Sequence, residues 1–232
     1  MIPAFLSYSH QDRNLAGAIK SNLDYYGFDT FLAHEDLQPS VEWQEVIRLK
    51  LKECVVFLPL LTESFTKSDW TDQETGMAVA LRKIIVPMKL NINPYGFISR
   101  YQAQSLAGAA DATSIFPPVI EEACWNILKT LATHKGIASE IRDGVIAAFG
   151  RSGSFREAGN FATRMQSLEP FSDQQLNEIV RVSTVNDQIS HGFDARAYVN
   201  DLIRREVAHI DRTLIRQFAE AQEWSGSGLQ SL

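Results

Sequence analysis

Apolar residues recur along this chain in two periods, and the switching between them lays out its first half. Ala4-Phe5-Leu6-Ser7-Tyr8 is a short apolar and aromatic run closed by the polar turn Ser9-His10-Gln11-Asp12. A strand, a turn and a helix start are predicted. From Arg13 to Tyr26 the apolar positions Leu15, Ala18, Ile19 and Leu23 return at intervals of three and four, which predicts a helix with one buried face, ended by Gly27. Phe28 to Leu32 is a second strand. After the polar loop Ala33 to Ser40, a helix with Trp43 near its start carries Val46, Ile47, Leu49 and Leu51. Cys54 to Leu61 is continuously apolar, as a strand buried on both faces would be.

Thr62 to Lys67 then reads as a loop, and Ser68 or Asp69 as the cap of a helix whose packing face is Gly76 to Leu81. Arg82 and Lys83 stand at the helix end that favours positive charge. Ile84 to Met88 is a fourth strand; its Pro87, like Pro59, lies near the C-terminal end of the run, where ladder bonds run out. Asn93 to Gly96 is a turn, Gln102 to Ala110 a short helix, Ser114 to Phe116 a fifth strand, and Val119 to about Thr133 a helix.

Strand and helix therefore alternate, which predicts an α/β architecture: a flavodoxin-like doubly wound parallel sheet of order 2-1-3-4-5. Such sheets bind ligands where the strand order reverses, outside the carboxyl ends of strands 1 and 3. The loop Tyr8-Ser9-His10 and the helix bearing Trp70 and Glu74 should flank that crevice, with the loop from His34 to Ser40 leaning over it.

Past about Lys135 the composition changes. Residues 1–133 contain seven Lys and four Arg, whereas residues 134–232 contain one Lys and ten Arg. Apolar strand-like runs disappear, and a small all-α helical domain is expected. Its helices are Ile137 to Phe149, Ser154 to Leu168, one opened by the capping box Ser172-Asp173-Gln174-Gln175, and one spanning roughly Asp194 to Phe218. The organisation read from the chain is thus a domain over 1–133, a helical sensing or assembly module over 134–222, and a flexible tail over 223–232.

Charge and composition narrow the function. A net charge of −6 without any Lys/Arg cluster argues against nucleic acid as a partner. No run approaches the ~20 apolar residues of a membrane span, and the N-terminus lacks the basic leader of a signal peptide. Two cysteines, Cys54 and Cys124, without a His cluster at ligand spacing imply reduced thiols and no metal site. A cytoplasmic protein that acts on no membrane is expected.

Trp70 and Glu74, four residues apart, share one helical face and place a carboxylate beside an aromatic wall. No glycine-rich turn follows strand 1, which disfavours phosphate cradling. A phosphate-accepting receiver would need acidic residues after strand 1 and an Asp at the end of strand 3, where this chain has Ser7-Tyr8-Ser9 and Pro59-Leu60-Leu61. Cleavage of an N-glycosidic bond fits better. A pyridinium leaves a sugar without protonation, so one carboxylate engaging ribose hydroxyls suffices to stabilise the oxocarbenium-like sugar. Glu74 is the candidate for that role, Trp70 a stacking wall, and Tyr8, Ser9 and His10 a place for the nicotinamide end.

These residues carry a family resemblance. Ala4 to Ser9 resembles the first box of Toll/interleukin-1 receptor (TIR) domains, and Glu35-Asp36-Leu37-Gln38-Pro39-Ser40 resembles the second. Trp43 to Ile47 continues the likeness. Ser64 to Trp70 with Glu74 is similar to the segment holding the Trp-x-x-x-Glu of NAD-cleaving members. The resemblance covers about residues 2–130. It implies a bacterial NAD+ glycohydrolase in antiviral defence, with NAD+ as substrate, no cofactor, Glu74 catalytic, and Asp36 and Trp43 joining Trp70 as substrate-binding positions. It also implies self-association through TIR domains; a trigger or partner protein acting at the helical module is expected separately, from the domain organisation. Ser40 stands where the second box usually has Gly, and Ala33 where Asp is common after strand 2. The rivals are a cyclase making a cyclic ADP-ribose type product, a non-catalytic adaptor module, and a nucleoside deoxyribosyltransferase-like enzyme.

Overall fold

A computed structural model describes residues 1–33, 43–106 and 118–223. The chain divides into two compact units, Met1–His134 and Lys135–Leu232.

The first unit is a parallel sheet with flanking helices. Its strands are β1 (Ile2–Ser7), β2 (Phe28–Leu32), β3 (Val56–Leu61), β4 (Ile84–Ile85), β5 (Met88–Lys89) and β6 (Gln104–Ser105), in the order β2-β1-β3-β5-β6 with β4 also on β3. Every pairing is parallel, with Ala4 opposite Thr30 on one side and Val56 on the other. The expected fourth strand is split. Ile84 and Ile85 pair with Val56 and Phe57, and Met88 and Lys89 with Leu60 and Leu61, so β4 and β5 run as one strand interrupted at Val86-Pro87. Proline has no N–H to give the ladder, but its carbonyl still accepts from the Gln104 amide at 2.8 Å. That bond starts β6, which takes the fifth place in the order.

The expected helix from Gln102 to Ala110 is thus corrected: Gln104 and Ser105 are strand, hydrogen-bonded to β5 through main-chain groups that no side-chain pattern advertises. The expected strand Ser114 to Phe116, the loop His34 to Ser40 and the tail Trp224 to Leu232 lie outside the described residues.

Helices α1 (Arg13–Tyr25) and α4 (Pro118–Leu131) pack on one another, as do α2 (Trp43–Glu53) and α3 (Asp69–Ala80). Phe5, Leu51, Phe57, Leu61, Phe65 and Ile85 form one buried cluster, in which Phe5 and Phe57 stack with ring centroids 5.8 Å apart. Gly27 joins α1 to β2 at φ 90°, a left-handed conformation that costs other residues strain. At the sheet edge, the Thr30 N–H donates to Asp24 Oδ1 at 3.0 Å and the Thr30 carbonyl accepts from Lys20 Nζ. Lys20 and Asp24 are themselves paired at 3.1 Å across one turn of α1.

The second unit is helical. It comprises α5 (Ala138–Gly150), α6 (Phe155–Met165), α7 (Asp173–Val185), the short α8 (Asp187–Ser190), α9 (Phe193–Glu206) and α10 (Arg212–Ala221). The capping box is present: Ser172 Oγ accepts from the Gln175 amide while the Gln175 side chain accepts from the Ser172 amide. α5 and α7 approach closely at Gly150, where a Cβ would meet the Val182 Cβ at 2.8 Å. The single helix expected from Asp194 to Phe218 is two. Ile210 is extended and buried, and Asp211 starts α10 by accepting the Thr213 N–H at 2.6 Å while donating its own N–H to Asn177 Oδ1 at 2.8 Å.

Candidate active site

The site grows from the passage between β3 and α3. β3 is buried over its whole length and ends at Leu61. Thr62 then turns the chain, its Oγ1 accepting the Phe65 N–H at 3.1 Å to begin a 3-10 turn over Phe65–Lys67. Ser68 stands at the N-cap of α3 in extended conformation, yet its side chain makes no capping bond. The helix start is held from inside instead: Thr71 Oγ1 reaches the Phe65 carbonyl at 2.7 Å and the Ser68 carbonyl at 2.8 Å. Asp69 and Asp72 in the first turn suit the positive end of the helix dipole.

The inward face of α3 is unusual. Its buried residues are Thr71, Glu74, Thr75 and Ala78, spaced at three and four, so three of four core-facing side chains are polar. Of the packing face expected at Gly76 to Leu81, Ala78 is buried and Met77 and Val79 pack half-buried against the core cluster, while Leu81 is exposed. A polar inward face needs internal partners, because an unpaired buried polar group is costly. Thr75 finds one in the Thr71 carbonyl at 2.7 Å. Glu74 finds Ser7.

Ser7 is the last residue of β1, wholly buried, and paired across the sheet with Pro59 of β3. Its Oγ donates to Glu74 Oε2 at 2.5 Å. Glu74 is only 2 % exposed, and its other oxygen, Oε1, has no hydrogen-bond partner among the described residues. Burial pushes the carboxyl up from 4.5 to about 7, and the Ser7 hydrogen bond pulls the other way. A carboxyl poised near neutrality, with one oxygen held and one open, thus stands at the carboxyl ends of β1 and β3, where the strand order reverses.

The other expected site residues are distributed unevenly. Trp70 and Trp43 come together edge to face, ring centroids 4.1 Å apart at 65°, both half-buried, with Trp43 also against the core cluster. Tyr8 is wholly buried, as Glu74 nearly is; Ser9 is half-buried and His10 exposed. Asp36 lies outside the described residues. Sequence reasoning missed Ser7 as a partner of the carboxyl, although it is the one polar residue inside the first apolar run. It also missed Asp12, whose Oδ2 accepts from Thr62 Oγ1 and Ser64 Oγ, both at 2.7 Å, across 50 and 52 residues. Contacts at that separation leave no periodic trace. Tyr95 adds a brace by donating to Asp72 Oδ1 at 2.6 Å; burial first, then that neighbour, holds its phenol above the usual range.

Chemically, one buried carboxyl with an open oxygen can accept a hydrogen bond from a sugar hydroxyl, and its ionised form can stabilise positive charge developing beside it. Among the described residues, no group of three His, Cys, Asp or Glu side chains is placed to hold a metal ion, and no helix is long and apolar enough to cross a membrane.

Residues 4–115 match the family model of the TIR domain, and no curated protein matches the chain.

Proposed function

From the TIR fold of the first unit, we propose that the protein is an NAD+ glycohydrolase in which Glu74 is the catalytic carboxylate. The observation that carries this reading is the Glu74 side chain: buried at the switch point, fixed through Oε2 by Ser7, and left with Oε1 unpartnered among the described residues.

In the proposed reaction the bond between ribose C1′ and the pyridinium nitrogen breaks, and its electron pair neutralises the ring, so nicotinamide departs without a proton. The ribose is left with oxocarbenium character. Glu74 Oε1 accepts a hydrogen bond from a ribose hydroxyl, and the carboxylate charge offsets the positive charge on the sugar. Water then adds at C1′ and releases its proton to give ADP-ribose. Bringing a cationic pyridinium riboside to a carboxyl poised at about 7 favours the ionised form that the chemistry requires. Trp70, propped by Trp43, is the proposed aromatic wall.

With Glu74 2 % exposed, the described conformation is closed to a dinucleotide. A resting state that is opened when TIR domains associate accommodates this, and it keeps a central cofactor safe from idle hydrolysis. TIR domains self-associate and bind NAD+ in general. Antiviral defence by NAD+ depletion, in a bacterial cytoplasm, is the setting this reading proposes, with the helical unit over 134–222 as the part that senses a trigger.

The same burial favours a second reading, in which Glu74 is structural and the domain is a non-catalytic interaction module. One experiment separates them. Purified protein, forced to self-associate by fusion to an oligomerising scaffold, is assayed for nicotinamide release from NAD+ beside Glu74→Ala. Release by the wild type and its loss in Glu74→Ala, with the circular dichroism unchanged, is expected. Full activity in the variant overturns the catalytic assignment. Chromatography of the sugar product separates linear ADP-ribose from a cyclic one.

A further inference from the structure

The loop after β1 and the loop after β3 are joined by three oxygens. Asp12 Oδ2 accepts from Thr62 Oγ1 and from Ser64 Oγ, each at 2.7 Å, and the two hydroxyl oxygens lie 2.9 Å apart. Two hydroxyl protons serve these three short contacts, and Asp12 is the acceptor to which either hydroxyl can donate. The triangle has a consequence further along the chain. While donating to Asp12, Thr62 Oγ1 presents a lone pair to the Phe65 N–H at 3.1 Å. The Phe65 carbonyl in turn accepts from Thr71 Oγ1 at 2.7 Å, and the Thr71 carbonyl accepts from Thr75 Oγ1 at 2.7 Å. An unbroken series of hydrogen bonds therefore runs from the first loop into the two turns of α3 that carry Glu74. Thr62 is 3 % exposed and Thr71 wholly buried, so water is kept from these two links, while Asp12 and Ser64 at the start of the route are half-buried.

The chain has simpler ways of stopping a strand or opening a helix. Ser68 at the N-cap of α3 makes no side-chain bond, and the helix start is braced from the Phe65 turn instead. The placement of Glu74 is thereby tied to the position of a loop on the other side of the crevice.

We propose that Asp12 is a positioning residue for the candidate site: its carboxylate fixes the loop after β3 against the loop after β1 and so sets the entry of α3 and the aim of Glu74 at Ser7 and at a ligand. The proposal rests on the reading of Glu74 as the working carboxylate, and Asp12 itself touches no substrate. Asn in place of Asp12 keeps an acceptor oxygen and the side-chain shape, whereas Ala removes the shared acceptor and leaves the two hydroxyls only each other.

The test uses the full chain and two readouts. The first is nicotinamide release by the self-associated protein. Asp12→Ala is expected to lower kcat/KM by about tenfold, mainly in kcat, since small misplacement of a reacting group has effects of this order or larger. Asp12→Asn is expected to recover most of that loss. The second readout is a carbon-13 titration of the Glu74 carboxyl in protein labelled at glutamate, the signal being assigned by its absence from Glu74→Gln. In Asp12→Ala the titration midpoint is expected to move away from its wild-type position as the Ser7 contact loosens, and in Asp12→Asn to stay.

A midpoint and kcat/KM unchanged in Asp12→Ala overturn the proposal. So does a loss of activity that follows only the loss of thermal stability and is recovered by cooling. Ser64→Ala, which removes one of the two donors, serves if Asp12→Ala does not fold; it is expected to give a smaller effect of the same kind on both readouts, and no effect on either overturns the proposal. Should the wild type release no nicotinamide, the functional reading falls, while the titration still decides whether Asp12 positions Glu74.

Discussion

Glu74→Gln should make the protein's stability less sensitive to pH, in a direction and amount that the structure specifies. An ordinary glutamate titrates at 4.5 and Glu74 at about 7, the increase coming first from burial. Between those values the folded chain holds a proton that the unfolded chain has released, so stability falls as pH rises. Below about 4.5 both states are protonated and Glu74 costs nothing; above about 7 both are ionised and the full cost is present. At about 1.4 kcal/mol per pH unit, that gap is worth about 3 kcal/mol. Gln cannot ionise. It keeps an oxygen to accept from Ser7 Oγ but buries an amide without a partner, a cost of about 1 to 3 kcal/mol that does not vary with pH.

The assay is urea unfolding of both proteins followed by tryptophan fluorescence at several pH values from 5 to 8.5. The quantity of interest is the difference between the two stabilities at each pH, in which all other titrating groups cancel. That difference should shift in favour of Glu74→Gln by most of about 3 kcal/mol across the range. A flat difference refutes the reasoning, for it would mean that Glu74 ionises in the fold as readily as in the open chain. The carboxyl would then be solvated, and the closed site described above would be wrong.

Two further predictions concern neighbours of that carboxyl. Ser7→Ala removes the hydrogen bond that lowers Glu74, so the group should titrate at higher pH than in the wild type, and the protein should lose about 1.5 to 3 kcal/mol at pH 8 but less at pH 5; an equal loss at both would show that Ser7 serves only packing. Trp43→Ala, Trp70→Ala and the double variant form a cycle whose coupling, read from urea unfolding, should be about 0.5 to 1.5 kcal/mol for an edge-to-face pair. Additive losses would mean that the two rings do not support one another.

The sheet was legible where the chain is locally consistent. β1, β2 and β3 announce themselves as apolar runs, and α1 as a three-and-four repeat, because each buries its side chains in the way its own period allows. β6 was not, since Gln104 and Ser105 become a strand only through main-chain bonds to a neighbour whose paired residues lie 16 positions earlier, Met88 with Gln104 and Lys89 with Ser105. The break at Ile210-Asp211 was hidden for the opposite reason: charged residues on either side continue a helical pattern, and the turn is set by Asn177 on another helix. Within the site, Glu74 could be found from Trp70 by spacing, but its partner could not. Ser7 and Glu74 are 67 residues apart, and their juxtaposition follows from parallel strand order, not from any nearby pattern. Tyr8, expected beside the crevice, stands one residue past the end of β1 and is wholly buried, as Ser7 before it is.

Among the described residues β2 is the margin of its sheet, and at its centre both main-chain groups of Thr30 are already taken by Asp24 and Lys20. A foreign strand arriving there would have to strip a paired cation and anion from the margin before forming its first two rungs. The sheet is thus a finished object on that side, resistant to growing into ribbons or fibres by strand addition. The self-association proposed above is expected to leave this margin bare, so that substitutions along Asp29 and Phe31 do not disturb it.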